Sequence, residues 1–162
     1  MLELTTDGYL PPGIHPYTYA DFEEQFVADF KTSQTRREIR DKAFQWISKV
    51  RLIAAAEEVW INGSYTTGKV NPNDIDMVIF YKQKIFKSKT LYDALKQLQL
   101  SSKSYRCDAY YSIIIDKDVT DEVLQRRAFW KGQFGFDRVD QPKGIVVMQW
   151  KEVIKGIKGG VL

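Results

Sequence analysis

The sequence predicts a mixed α and β domain, α/β of the α+β kind, in which a small mixed sheet is covered by helices. Three observations carry that prediction. Apolar residues at helical spacing mark two N-terminal helices, short β-branched and aromatic runs mark strands, and the order reads helix, helix, strand, strand, helix, strand, helix, strand. The length of 162 residues suits a single domain over 1–162 and can bury a core without disulfide or metal staples.

The opening, through Leu10-Pro11-Pro12-Gly13-Ile14-His15-Pro16, is dense in backbone breakers, so 1–17 reads as an extended arm. Thr18 with Asp21 forms a capping pair for a first helix reaching about Phe30. Thr32 or Ser33 opens a longer second helix. Its Ile39, Ala43, Trp46, Ile47, Val50, Ile53 and Ala54 share one face, while Arg37, Asp41, Lys49 and Glu57 lie opposite. Val59–Asn62 is a strand that ends in the Gly63-Ser64 turn, and Asp74–Tyr81 is a second strand after a polar loop. Leu91, Ala94, Leu95 and Leu98 mark a helix capped near Ser88 or Thr90, followed by a turn over Ser101–Ser104. Tyr105–Ile115 is a long strand, Thr120–Lys131 a helix, and Gly144–Trp150 a last strand. The tail from about 156 to 162 is expected to fray.

Composition narrows the function classes. Aromatic residues make up 14% of the chain and charged residues 28%, so most of the length is expected to be ordered. The net charge of +3 permits contact with phosphates without the strong basic signature of a dedicated nucleic-acid binder. One cysteine, Cys107, excludes an internal disulfide, and with a single His15 it excludes a Cys/His zinc site. Cys107 reads as a small buried hydrophobe and His15 as a loop residue satisfied by backbone. Met1-Leu2-Glu3-Leu4 has no signal-peptide pattern and no apolar run is long enough to span a bilayer, so a cytoplasmic protein with no membrane contact is expected.

The chemistry concentrates on carboxylates. Asp74 and Asp76 are two apart at the start of a strand and therefore project to the same face. Side-by-side carboxylates repel, and a cation, with Mg²⁺ the natural match for oxygen ligands, relieves the repulsion. Asp108 stands between the small apolar Cys107 and Ala109 in a later strand and completes the set if that strand neighbours the second. A lone Asp-x-Asp would suit a turn and a surface ion pair equally well. The Gly63-Ser64 turn before it and Asp108 after it tip the reading toward a metal site. Gly63 admits close approach of the backbone to phosphate, and Ser64 offers a hydroxyl and an amide. Gly63-Ser64-Tyr65-Thr66-Thr67-Gly68-Lys69-Val70 nearly spells a P-loop, but Val70 replaces the hydroxyl residue and Pro72 and a strand follow. Lys69 is thus left as a loop lysine within reach of phosphate or solvent.

Gly63, Ser64, Asp74, Asp76 and Asp108 together resemble the nucleotidyltransferase superfamily typified by DNA polymerase β. Members have a Gly-Ser turn after the first core strand, an acid–hydrophobic–acid pair opening the second, and a third acid on a later strand. The resemblance covers roughly the middle third of the chain. It implies the nucleotidyltransferase fold, two Mg²⁺ ions held by Asp74, Asp76 and Asp108, and transfer of a nucleoside monophosphate from a nucleoside triphosphate to an acceptor hydroxyl. Asp108 would hold the ion that activates that hydroxyl and take its proton. Several further pieces resemble a bacterial family of uncharacterised nucleotidyltransferase-like proteins. They are Leu10-Pro11-Pro12-Gly13-Ile14-His15, the Arg36 segment, Gly63-Ser64-Tyr65-Thr66-Thr67, Pro72-Asn73-Asp74-Ile75-Asp76, Asp137-Arg138 and Pro142-Lys143-Gly144-Ile145-Val146. Relatives there carry Phe-Val-Thr where this chain has Tyr65-Thr66-Thr67.

Arg138 and Lys143 flank a turn before the last strand, where they would suit either a triphosphate or a solvated hairpin. Arg36 and Arg37, misplaced for the dipole at a helix start, are expected to pair with Glu23 or Glu24. Tyr105, Tyr110 and Tyr111 read as cross-strand packing, and the aromatic run Phe129–Phe136 as cover for the core. Three functions stay open: a transferase acting on a protein, RNA or small-molecule acceptor, a non-catalytic interaction module such as a toxin–antitoxin or phage-defence component, and a small RNA-binding protein with a degenerate site.

Overall fold

The structure is a computed structural model and describes residues 1–115 and 120–159. The first element is an unexpected strand, β1 (Gly13–Pro16), inside the proline-rich arm. It lies at the edge of the sheet, where a proline without an amide proton is tolerated. Thr18 caps α1 (Tyr19–Glu23), its hydroxyl accepting from the Asp21 amide at 3.1 Å. A π-helical turn over Glu24–Ala28 follows. In α2 (Arg36–Ile53) the apolar face foreseen from spacing is the buried one, with Ile39, Ala43, Trp46, Ile47 and Val50 all inside.

β2 (Glu58–Asn62) and β3 (Ile75–Tyr81) pair antiparallel, and β4 (Cys107–Ile113) runs parallel to β3. Between β3 and β4 come the short α3 (Gln83–Lys87) and α4 (Lys89–Leu100), the latter capped by the Ser88 hydroxyl. α5 (Asp121–Gly135) starts behind the Thr120 cap and leads to β5 (Gly144–Gln149). The tail does not fray at 156: Trp150, Val153, Ile154 and Ile157 share helical spacing and form α6 (Trp150–Gly159). Residues 160–162, the end of the expected frayed tail, lie outside the described residues.

The result is a mixed α/β fold: among the described residues, six α-helices and a five-stranded mixed sheet of order β1-β5-β2-β3-β4. No helix among those residues is long and apolar enough to cross a membrane. Strand alternation divides the apolar residues between two faces. Val59, Ile61, Ile75, Met77, Ile79, Tyr81, Val146 and Met148 face the larger core with α1, α2, α4 and α6. Trp60, Val78, Phe80, Ile145 and Val147 face a smaller core closed by Phe134 and Trp130 of α5. Arg127 fastens that helix by an ion pair to buried Glu58 at 3.0 Å and by stacking its guanidinium 4.7 Å from the Trp60 ring centre. Beyond Trp60 and Val78 this second face turns polar, at Asn62, Asp76 and Asp108, and there the site begins.

Gly156 sets how closely α6 approaches the N-terminal helices, because a Cβ there would strike the rings of Phe44 and Tyr19. Gly156→Ala is therefore expected to lower stability by about 1–3 kcal/mol, the scale of core overpacking. The substitution would otherwise favour a helix. A melting temperature equal to or above that of the wild type would show that α6 does not pack as described.

Candidate functional site

The site grows from one rung of the sheet. Asp76 is in register with Asn62 on one side and with Asp108 on the other, so the three side chains leave the same face. Asp74 lies two residues before Asp76, exposed, just ahead of β3. Burial pushes the Asp76 carboxyl up to about 6, and the negative charges of Asp74 and Asp108 add to the shift, while Lys143 and Arg138 oppose it. Asp108 is turned partly aside: it accepts from the Tyr110 hydroxyl at 3.2 Å and lies 4.0 Å from the Lys103 ammonium. Among the described residues no three His, Cys, Asp or Glu side chains are drawn together into a ready-made ligand cluster. The Asn62 side-chain Nδ2 donates to the Gly144 carbonyl at 3.0 Å, which ties the end of β2 to the start of β5.

Opposite Asp76 is the turn at Gly63. Its backbone angles, φ 81° and ψ −166°, belong to a region that only glycine occupies readily. A Cβ at Gly63 would fall on the Asp76 carboxylate. Glycine is thus required here twice, by the backbone and by the neighbouring acid. Ser64–Thr66 then forms a 3-10 turn, closed by the Thr67 hydroxyl donating to the Ser64 carbonyl at 2.8 Å.

What holds this loop is Arg36, which pairs with no carboxylate among the described residues. Its guanidinium is fully buried and donates to the carbonyls of Phe26 (2.9 Å), Tyr65 (2.7 Å), Thr67 (2.7 Å) and Lys69 (2.7 and 3.2 Å). The Phe30 ring centre lies 3.5 Å from its central carbon. Burial pulls the guanidinium down to about 10, so it remains charged at neutral pH. The expected partner Glu23 is taken by Arg40 instead. The fold thus corrects the sequence reading: Arg36 sits one turn too early on α2 to meet Glu23, and it points beneath the loop. The rest of the loop is lashed to the same helix start. Asn71 accepts from the Gln34 amide at 2.8 Å, and the Thr35 hydroxyl donates to the Pro72 carbonyl at 2.8 Å. Arg106, left-handed at φ 52°, bridges the Asn73 carbonyl and Glu38 at 2.9 Å each.

A third wall comes from the segment before β5. Asp137 accepts from the Val139 and Gln141 amides at 2.9 Å each and from the Tyr9 hydroxyl at 2.9 Å. That loop presents exposed Arg138 and half-buried Lys143. Burial lowers Lys143 below the ordinary lysine value, against the pull of Asp76 and Asp137. The arm adds a fourth wall, with the Gly68 amide donating to the Gly8 carbonyl at 2.8 Å. These walls enclose a cleft of about 1410 Å³. Gly63, Ser64, Lys69, Asp74, Asp76, Arg138 and Lys143 all line it; Asp108 is not among its lining residues.

The sequence reading does not single out Arg106, Asn62 or Tyr9, and it meets Arg36 and Asp137 as pieces of a resemblance, without a place in the site. Each acts through backbone carbonyls, amides or a distant hydroxyl, and such contacts leave no spacing signal. Phe129, Trp130 and Phe136, read as core cover, line the cleft as well.

In comparison with known proteins, residues 2–149 match the model of DUF6932, a family of unknown function. No curated protein and no solved structure matches the chain.

Two outcomes follow from this geometry. Arg36→Met strands four carbonyls, those of Phe26 and Tyr65 buried, and should lower stability by about 3–5 kcal/mol, read by denaturant unfolding; a loss below 1 kcal/mol would mean that the loop does not depend on it. In metal-free protein the raised Asp76 value means that the folded state holds its proton more tightly than the unfolded chain. The associated stability is complete below about pH 4 and fades as the pH rises through about 6. Asp76→Asn should therefore gain on the wild type between those values, by at most about 3 kcal/mol at neutral pH. A stability difference that stays flat with pH would place Asp76 in an ordinary solvated setting.

Proposed function

Since the chain belongs to that family of unknown function, its activity is to be read from its own site, and we propose a Mg²⁺-dependent nucleotidyltransferase built on the nucleotidyltransferase fold. It would move a nucleoside monophosphate from a nucleoside triphosphate to an acceptor hydroxyl. The observation that carries this reading is the shared rung of Asp76 and Asp108, with Asp74 two residues away and the Cβ-free Gly63 turn facing Asp76.

The donor set suits a hard cation: three carboxylates whose mutual repulsion contributes to holding Asp76 near 6. Asp74, Asp76 and Asp108 would hold the metal, with Asp108 exchanging Tyr110 and Lys103 for it. Bound Mg²⁺ supplies charge neutralisation on the phosphates and a more acidic acceptor hydroxyl. The chain's own groups do the rest. The Gly63-Ser64 turn lets the triphosphate approach the backbone, and the Ser64 hydroxyl donates to it. Arg138 grips phosphate oxygens with a two-pronged fork, and Lys143 and Lys69 add point charges. The acceptor oxygen bonds to the α-phosphorus, the bond to the bridging oxygen of the β-phosphate breaks, and pyrophosphate leaves. Asp108 takes the acceptor proton.

A non-catalytic interaction module is the second reading, favoured by the engagement of Asp108 with Lys103 and Tyr110. The deciding experiment incubates the protein with each α-labelled triphosphate, Mg²⁺ and cell lysate. Label transfer should appear with the wild type and fall at least about a hundredfold with Asp76→Asn, which keeps shape and removes charge. Absence of transfer by the wild type under every triphosphate, with its biological effect intact in Asp76→Asn, would leave the module reading.

A further inference from the structure

Charge is unevenly placed on this chain. Residues 82–103 carry six lysines against one aspartate, a local charge of +5, while the remainder sums to −2. All six, Lys82, Lys84, Lys87, Lys89, Lys96 and Lys103, are exposed along α3, α4 and the turn that follows. Only Lys82 and Lys103 make ion pairs among the described residues, with Glu57 and Asp108.

Two lysines of this basic strip, Lys87 and Lys96, line a second cavity of about 380 Å³, of a size to take one nucleotide. Its walls are aromatic. Phe86 and Tyr92 stand 6.1 Å apart between ring centres, Tyr92 is 41% exposed, and the Lys96 ammonium lies 6.0 Å from its ring. Tyr111 also lines this cavity. Arg126, also on its wall, is already neutralised by Glu122 at 2.8 Å. Tyr110 and Trp130, 5.1 Å apart, line both this cavity and the main cleft, so one pair of rings separates the two. Tyr110 is also the residue that donates to Asp108.

We propose that this cavity is the acceptor site and that the acceptor is a single-stranded polynucleotide; the word acceptor rests on the transferase reading above. One base stacks on the exposed ring of Tyr92, which Phe86 backs, the phosphates follow the lysines of α3 and α4, and the terminal hydroxyl passes the Tyr110–Trp130 pair to reach Asp108. Aromatic platforms set in a cationic track are the general means of holding single strands. A duplex would not fit, because its bases are stacked on each other and unavailable to Tyr92. RNA and DNA share this chemistry, and the assay separates them.

The test is fluorescence anisotropy of the full chain with short labelled single-stranded RNA, and with DNA of the same sequence, in the absence of triphosphate and Mg²⁺. The strand should bind more weakly as salt rises. The double variant Lys87→Glu/Lys96→Glu should weaken binding at least about tenfold, and Tyr92→Ala at least about fivefold. Triphosphate affinity by calorimetry and the melting temperature should be unchanged in both. Tighter RNA binding names RNA as the acceptor; equal binding leaves either polynucleotide and still supports the site. The inference is overturned if neither strand binds, if the variants bind as the wild type does, or if poly-glutamate competes equally and Tyr92→Ala has no effect. Strand binding that depends on these residues without any label transfer sinks the transferase reading and leaves the polynucleotide site. Transfer to a protein or small molecule without strand binding overturns this inference alone.

Discussion

A buried arginine with no acid beside it is the constraint on which the rest of the site depends. A guanidinium taken out of water must recover its hydrogen bonds from something. For Arg36 that something is the chain itself, at Phe26, Tyr65, Thr67 and Lys69. Carbonyls from alternate loop residues turn inward to meet it. Across a trans peptide the amide points opposite to its carbonyl, so the amides of Thr66, Gly68 and Val70 turn away from Arg36. That of Gly68 is the one that engages Gly8. A single side chain thereby shapes the loop and recruits the arm. Because no carboxylate cancels it, its positive charge persists beneath the turn that faces Asp76.

The acids themselves were legible in the sequence, and for a physical reason. Strand periodicity is short-range, so the face of Asp76 can be read from its neighbours, whereas Asp74, expected to open the strand, lies just ahead of β3. Gly63 announces its turn because no other residue tolerates that backbone. The long helices were legible too, since the buried face of α2 repeats over several turns. What was not legible depends on contacts between distant segments. β1 is hidden by its prolines and glycine, and it is a strand only because β5 lies alongside, Gly13 beside Gly144. Arg36 looked like a helix-start residue in search of an acid, since nothing local says that a loop some thirty residues later will supply carbonyls. α6 is helical where the sequence reading expects a strand to Trp150 and a frayed tail from about 156. Gly156 is instead the contact point with Phe44 and Tyr19.

The two faces of the sheet have different tasks. One is apolar along its whole length and takes four helices, so it is the stable support. The other is covered by a single helix and changes character along its strands, from Trp60 and Val78 to Asn62 and Asp76. A charged rung is tolerable there because α5 stops covering the sheet at that end, and the aromatic residues near its own end become the wall of a cleft. The rigid side holds the acids in register, and the thinly covered side leaves them within reach of water and solutes.

The strand order also has a consequence for synthesis. Among the described residues β5 is the last strand in chain order, yet it lies between β1, the first, and β2. A nascent chain can pair β2, β3 and β4 early, but β2 keeps a bare edge and β1 has nothing to join until Gly144–Gln149 emerges. Such an edge invites pairing with other chains, and contacts so far apart in sequence form slowly. The wall of the cleft that carries Lys143 therefore cannot be fastened to the sheet until Gly144–Gln149 has emerged, and before that the acids stand without their enclosure.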